Sequence, residues 1–319
     1  MKLAVYNLTI VLSAMCLAAC QKDIVVDIEP EQPRLAIYSM LQPDSLISVY
    51  VSSSKSVTDA TPLRAIDDAE VTLTVDGLAP QLLTLVDAEQ GHYRADFVPQ
   101  PGVTYQLSVT APGYPPAEAN TQMPRPVAIR QADYTISLTN QVSDCGDRPQ
   151  CADTITRYAI AITFQDFPSE QNFYEISGSQ EYATEQQVYD SLTDDTSTVQ
   201  ITQRGLIYNR SDDPVLQEEV LINDPRYRWP QEFFFTDELF DGTQYTFDYT
   251  AESEAKNPLR MVITLTTWHE DAFRYEQTKH YNQYFDVMLY EPIPLHQNIQ
   301  GGYGIFSSFS QNTVTIELN

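Results

Sequence analysis

Basic residues are scarce in this chain: 18 lysines and arginines face 44 acids across 319 residues. The formal net charge is −26. A body this acidic repels nucleic acid and anionic headgroups, so no nucleic-acid partner is expected. Histidine is rarer still, with His92, His269, His280 and His296. There is no HExxH helix, paired CxxC, GK[ST] phosphate loop or GxSxG turn. Without them nothing points to a catalytic or cofactor site. The expectation is a protein that is not an enzyme and takes no cofactor. The acidic pairs Asp194-Asp195 and Asp212-Asp213 offer hard oxygens to calcium, but not at EF-hand spacing, and read as solvated loops.

Membrane-spanning runs are also missing. The mostly apolar run from Leu8 to Leu17 falls short of the about 20 residues a bilayer requires. It follows Lys2 and has the proportions of a secretory leader. It ends in Leu17-Ala18-Ala19-Cys20, which reads as a lipobox: residues 1–19 are removed and Cys20 is acylated. Residues 20–32 then form a tether, and the lipid bilayer is one partner. Each buried lipid CH₂ is worth about 0.8 kcal/mol, so several acyl chains hold firmly. Loss of Lys2 leaves 17 basic residues, and 17 − 44 = −27 for the mature chain. Lys22-Asp23 and the spread acids after it resemble a surface-export signal. The expected place is the outer membrane, facing the exterior.

Cysteine is sparse too, with four in all. Cys16 leaves with the leader and Cys20 carries lipid, so Cys145 and Cys151 remain. They flank five residues that include Gly146 and Pro149. In an exported protein that spacing reads as a small disulfide-closed loop. Closing it contributes about 2 kcal/mol on the chain-entropy estimate.

What the chain does have is strand pattern. "RLAIYSML", "LISVYVS", "AEVTLTVDG", "GHYRADF", "GVTYQLSVTAPGY" and "EANTQM" are separated by turn residues. Val103, Tyr105, Leu107 and Val109 share one face. Residues 33–125 therefore read as an immunoglobulin-like β-sandwich. Pro124 and Pro126 mark a boundary, and 126–319 read as a second β-rich domain. Its strands are "RYAIAITFQDF", "QNFYEISGSQEY", "STVQITQRGLIYN", "TQYTFDYTA" and "LRMVITLTT". "SLTDDTS" and "NRSDDPVL" between them look too long for tight hairpins. The period then changes. Thr267 and Glu270 form a capping box, and Phe273, Tyr281, Tyr284, Phe285 and Met288 recur at helical spacing. This predicts an amphipathic helix over about Trp268 to Met288, with the aromatic stripe as its buried face.

Only 11 glycines occur, yet Gly301, Gly302 and Gly304 crowd one short segment. On a strand, Gly302 and Gly304 share a face and leave bare backbone. Asn298 and Gly301 can take positive φ just before it. The strip is expected to pack under the aromatic helix, with approach by a ligand or partner as the alternative.

"LHQNIQGGYGIF" resembles the closing fingerprint of the "domain of unknown function 4249" family of Bacteroidota lipoproteins. "CQKDIVVDIEPEQPRLAIYSML", "IDDAEVTLTVDG", "GHYRADFVPQPGVTYQLSVTAPGY" and "NFYEIS" extend the resemblance over most of residues 20–319. The resemblance implies an outer-membrane lipoprotein that accompanies a TonB-dependent barrel, and brings no catalytic residues. The expected function is an accessory subunit of such a transporter, in nutrient capture or gating. The alternative is a stand-alone surface module that binds glycan or protein.

Overall fold

The computed structural model describes residues 32–56, 59, 61–142, 152–190, 195–216, 232–253, 258–284 and 293–318. Cys20, Cys145, Cys151 and Asp194 lie outside them. Residues Pro33–Lys55 and Ala60–Asn319 form one compact unit, which holds every element below. Among the described residues, no helix is long and apolar enough to cross a membrane.

The protein is mainly β. The first strands are β1 (Leu35–Leu41), β2 (Ser48–Ser53), β3 (Glu70–Val75), β4 (Gln81–Leu82), β5 (Thr84–Asp87), β6 (His92–Arg94), β7 (Thr104–Thr110) and β8 (Ala117–Gln122). They fall into two sheets. β4-β3-β7-β8 form one, and β1-β2-β6-β5 form one end of the largest sheet. Alternation drives this: Tyr105, Leu107 and Val109 point inward while Thr104, Gln106 and Thr110 face water. Their inner faces share a core that includes Leu35, Ile37, Val49, Leu73 and Leu107. The short strands β4 and β5 had no clear sequence signal.

The remaining strands are β9 (Ile129–Val142), β10 (Ala152–Gln165), β11 (Phe173–Asp190), β12 (Asp195–Leu206), β13 (Tyr208–Arg210), β14 (Glu232–Thr236), β15 (Gln244–Ser253), β16 (Pro258–Trp268) and β17 (Tyr303–Glu317). β13-β15-β10-β9 make a third sheet, and β12-β11-β16-β17 continue the largest one into β1. Tyr158, Ile160, Ile162 and Phe164 of β10 meet Met261, Ile263 and Leu265 of β16 in a second core. Met123 belongs to the first core and Val127 to the second, so Pro124 and Pro126 lie where the chain passes between them.

β17 contributes to each hydrophobic cluster. Phe306 sits in the first, Ile316 in the second, and Phe309 packs on a third made by Phe173, Phe234, Trp268, Ala272 and Phe273. Four successive residues, Ile305 to Ser308, are buried. A strand covered on both faces loses its alternation. Its serines are bonded to the end of β8 and beyond: Ser308 meets Thr121 at 2.9 Å and the Gln122 carbonyl at 2.9 Å, and Ser310 donates to the Pro124 carbonyl.

Two expectations are corrected here. The helix α1 spans Glu270–Tyr284, with residues 285–288 outside the described set. Trp268 and Thr267 end β16, opposite Phe309 and Ser310, so Thr267 cannot cap. His269 does so instead, its Nδ1 accepting from the Asp271 N–H at 3.3 Å. The "SLTDDTS" loop is also shorter than read. β11 runs on to Asp190, which pairs with Asp195, so the connection is 191–194.

Candidate functional site

The glycine strip is a close crossing of backbones. β17 runs parallel to β1, with Ile37 opposite Gly304. A Cβ on Gly304 would fall on the Ile37 carbonyl, one on Gly302 would lie 2.6 Å from the Leu35 oxygen, and one on Gly301 would strike the Pro116 carbonyl. Gly301 and Gly304 take φ of 79° and 107°, where L side chains are strained. The cover over the strip is therefore β1 and the start of β8, and the expected aromatic helix does not supply it. Asn298 is not among the positive-φ residues.

Asn298 works through its side chain. Its Oδ1 accepts from the Phe306 N–H at 3.0 Å and its Nδ2 donates to the Phe306 carbonyl at 2.9 Å. The amide thus mimics a neighbouring strand. The same Nδ2 reaches Asp271 Oδ2 at 3.0 Å, while His296 Nε2 lies 2.8 Å from Asp271 Oδ1. Burial pushes the Asp271 carboxyl up, but the hydrogen bonds from His296 and Asn298 outweigh it and hold the group below its usual range. This knot ties the start of α1 to the loop before β17.

Ser307, His269 and Asp271 resemble a hydrolase triad only by composition. Ser307 Oγ lies 3.3 Å from His269 Nδ1, and Asp271 Oδ2 lies 3.7 Å from that same nitrogen. One nitrogen cannot accept from serine while donating to aspartate, and a relay uses both ring nitrogens. Ser307 is also fully buried. Burial pushes His269 down, so it is neutral near pH 7.

Carboxylates of Asp166, Asp237 and Asp241 lie within 4.8 Å of one another. Each is engaged by the protein. Tyr174 and the Gly242 N–H donate to Asp166, Asn172 donates twice to Asp237, and the Ser169 N–H donates to Asp241. They tie the β10–β11 connection to the β14–β15 connection. Asp213 does similar work, accepting from the Val215 N–H and the Tyr245 hydroxyl. Glu175, read from sequence as plain strand, is buried and accepts from Trp268 Nε1 at 3.1 Å. Burial, with nearby Glu232, pushes its carboxyl up to about 8.

The outer face of the third sheet carries an open depression of about 750 Å³. Ala159, Ala161, Thr135 and Thr250 floor it, and Arg157 with Glu252 closes one end as an ion pair. Small floor residues beside charged walls suit shallow contact with a polar ligand.

The family model described as Domain of unknown function (DUF4249) matches residues 21–315. The chain belongs to the DUF4249 family. The match takes in both the parallel β1–β17 crossing and the Asn298 knot. No curated protein matches the chain. Two solved structures are similar at a distance: the BSP domain of a biofilm associated protein, at 6% identity and TM-score 0.16, and the B domain of a biofilm associated protein, at 7% and 0.14. The chain covers 59% of the first and 85% of the second, with 90% and 89% of its own length. Scores this low carry no argument about fold or role.

Proposed function

We propose that this DUF4249 protein is a lipid-anchored docking module that accompanies a TonB-dependent barrel at the outer membrane, facing the exterior. The observation that carries the reading is the direction of its long hairpins. β17 is parallel to β1, β16 is antiparallel to β17, and β11 is antiparallel to β16, so β11 runs the way β1 does. Glu317 is level with Arg260, and Arg260 with Glu181. The β11–β12 ribbon continues nine residues more, 190 − 181, to Asp190. At about 3.3 Å per residue that is roughly 30 Å of reach. β9 follows the same sense: its Ile129 N–H bonds Asn312 and its Tyr134 hydroxyl bonds the Glu317 carbonyl. Both ribbons lead away from the start of β1. Cys20 precedes Leu35 by 15 residues, 35 − 20, a tether of at most about 50 Å. Long ribbons suit contact with a large partner, and a lipid anchor would confine the protein to the membrane that holds a barrel, where effective concentration is high.

The β1–β8 region is best taken as an immunoglobulin-like sandwich that β17 completes, since its two sheets share one core that includes Phe306. A binding role fits better than catalysis, because the Ser307-His269-Asp271 grouping has the wrong nitrogen and a buried serine. The depression floored by Ala159 and Ala161 favours the second reading, a stand-alone surface module for glycan or protein.

Gentle extraction of C-terminally tagged protein should recover one dominant barrel, and deletion should slow uptake of that barrel's substrate. Cys20→Ser should abolish acyl labelling and release the protein from membranes. Elution as a lone monomer, with lost adhesion and normal uptake, would select the stand-alone module.

A further inference from the structure

We infer that the outer edge of β12, over Ser197–Thr202, is a strand-addition site for an extended, cationic segment of a second protein. β12 ends the largest sheet, and β11 is its only strand neighbour among the described residues. An edge strand presents a row of N–H and C=O groups, and proteins normally blunt it with lysine, proline or a bulge. This edge has none of these. No lysine, arginine, proline or glycine occurs in 183–190 or 195–203. The pairing with β11 proceeds from Ser179↔Leu206 to Asp190↔Asp195 without a register shift. At its other end the sheet is guarded differently: β5 is four residues long and shifts register against β6. A ribbon of two strands is marginal alone and gains from a third.

The chemistry of the occupant follows from the two faces of the ribbon. Cross-strand partners share a face, so Val188, Val199 and Ile201 lie together, with Tyr182. Val188 and Val199 are each 44% exposed. Glu185 lies on the opposite face, beside Gln200. Beyond the Glu181↔Arg204 pair, the charges of the ribbon strands are Glu185, Asp190 and Asp195, all acidic, on a chain of net charge −26. A strand that alternates apolar with basic residues would extend the aliphatic face and set its charges beside Gln200, one strand away from Glu185. A second copy of this chain would bring like charge against like, and its own edge offers no cation. This inference takes from the proposed docking role only the direction in which the ribbon points.

The test uses the full mature protein and two eight-residue peptides, one alternating valine with lysine and one alternating valine with glutamate. The lysine peptide should bind, and should slow amide exchange at every second residue of 197–202, the mark of an added strand. Val199→Pro and Gln200→Pro sample both amide orientations. One should weaken binding at least tenfold with the β11 pairing intact, and the other should disrupt that pairing. Gln200→Lys should weaken binding severalfold with an unchanged melting temperature. Equal binding of the glutamate peptide, protection elsewhere in the protein, or indifference to Gln200→Lys would overturn the inference. So would peptide-free dimerisation through these same amides. A barrel that co-purifies equally with the Gln200→Lys protein would leave the docking role standing and remove this edge from it. Peptide addition at the edge without a co-purifying barrel would do the reverse.

Discussion

Gly304 lies directly opposite Ile37 in the parallel pairing of β17 with β1, and its absent side chain is the space that the Ile37 carbonyl occupies. The last strand can therefore approach the first only through glycine. Two regions far apart in sequence are joined at this point, and Phe306, two residues on, completes the first core.

Gly304→Val should be severely destabilising. Overpacking costs roughly 1–3 kcal/mol, and a non-glycine residue at positive φ adds about 1–2. The obstacle is backbone, which cannot turn aside. Denaturant unfolding should show a loss of about 3 kcal/mol or more. An unchanged midpoint would mean that β17 does not lie against β1.

Asn298→Ala removes the amide that bonds both backbone groups of Phe306. Each buried group left unsatisfied costs about 1–3 kcal/mol, so a loss of about 2–6 is expected for the two. Hydrogen exchange at the Phe306 amide should quicken before the rest of β17 opens. Asn298→Asp should restore only the acceptor half, and would set a second carboxylate against Asp271.

Glu175→Gln tests the buried carboxyl. Burial, then Glu232, raises its pKa from 4.5 to about 8. The folded value lies above the unfolded one, so the stabilising contribution is complete below pH 4.5 and is lost as pH rises through about 8. The wild type should lose stability across that window, by at most about 5 kcal/mol at 1.36 per unit. Glutamine cannot ionise and keeps an acceptor for Trp268, so the variant should be flatter with pH and firmer at pH 9. Parallel curves for the two proteins would show that Glu175 is ionised within the fold.

Cys145 and Cys151 fall between β9 and β10, whose ends Val142 and Ala152 face each other across the pair. Protein taken from its native compartment and alkylated without reduction should gain no label at either cysteine. Labelling of both would remove the disulfide, leaving the hairpin to hold by its ladder alone.

Much of the fold was legible in the sequence because burial on one face writes a local pattern. Tyr158, Ile160, Ile162 and Phe164 alternate with small or polar residues, and that period of two marks β10 without reference to any partner. The change of period after Trp268 announced α1 for the same reason, though its start was misjudged: Thr267 looks like a cap in sequence and is a strand residue in space. The crowding of Gly301, Gly302 and Gly304 announced a close approach. What approaches them could not be read, since a missing side chain records the need for room and not the identity of the neighbour. The choice of β1 over α1, the bond from Asn298 to Phe306 and the burial of Glu175 beneath Trp268 all join residues remote in sequence. Their geometry exists only once the sheets have formed, so the tertiary structure alone decided them.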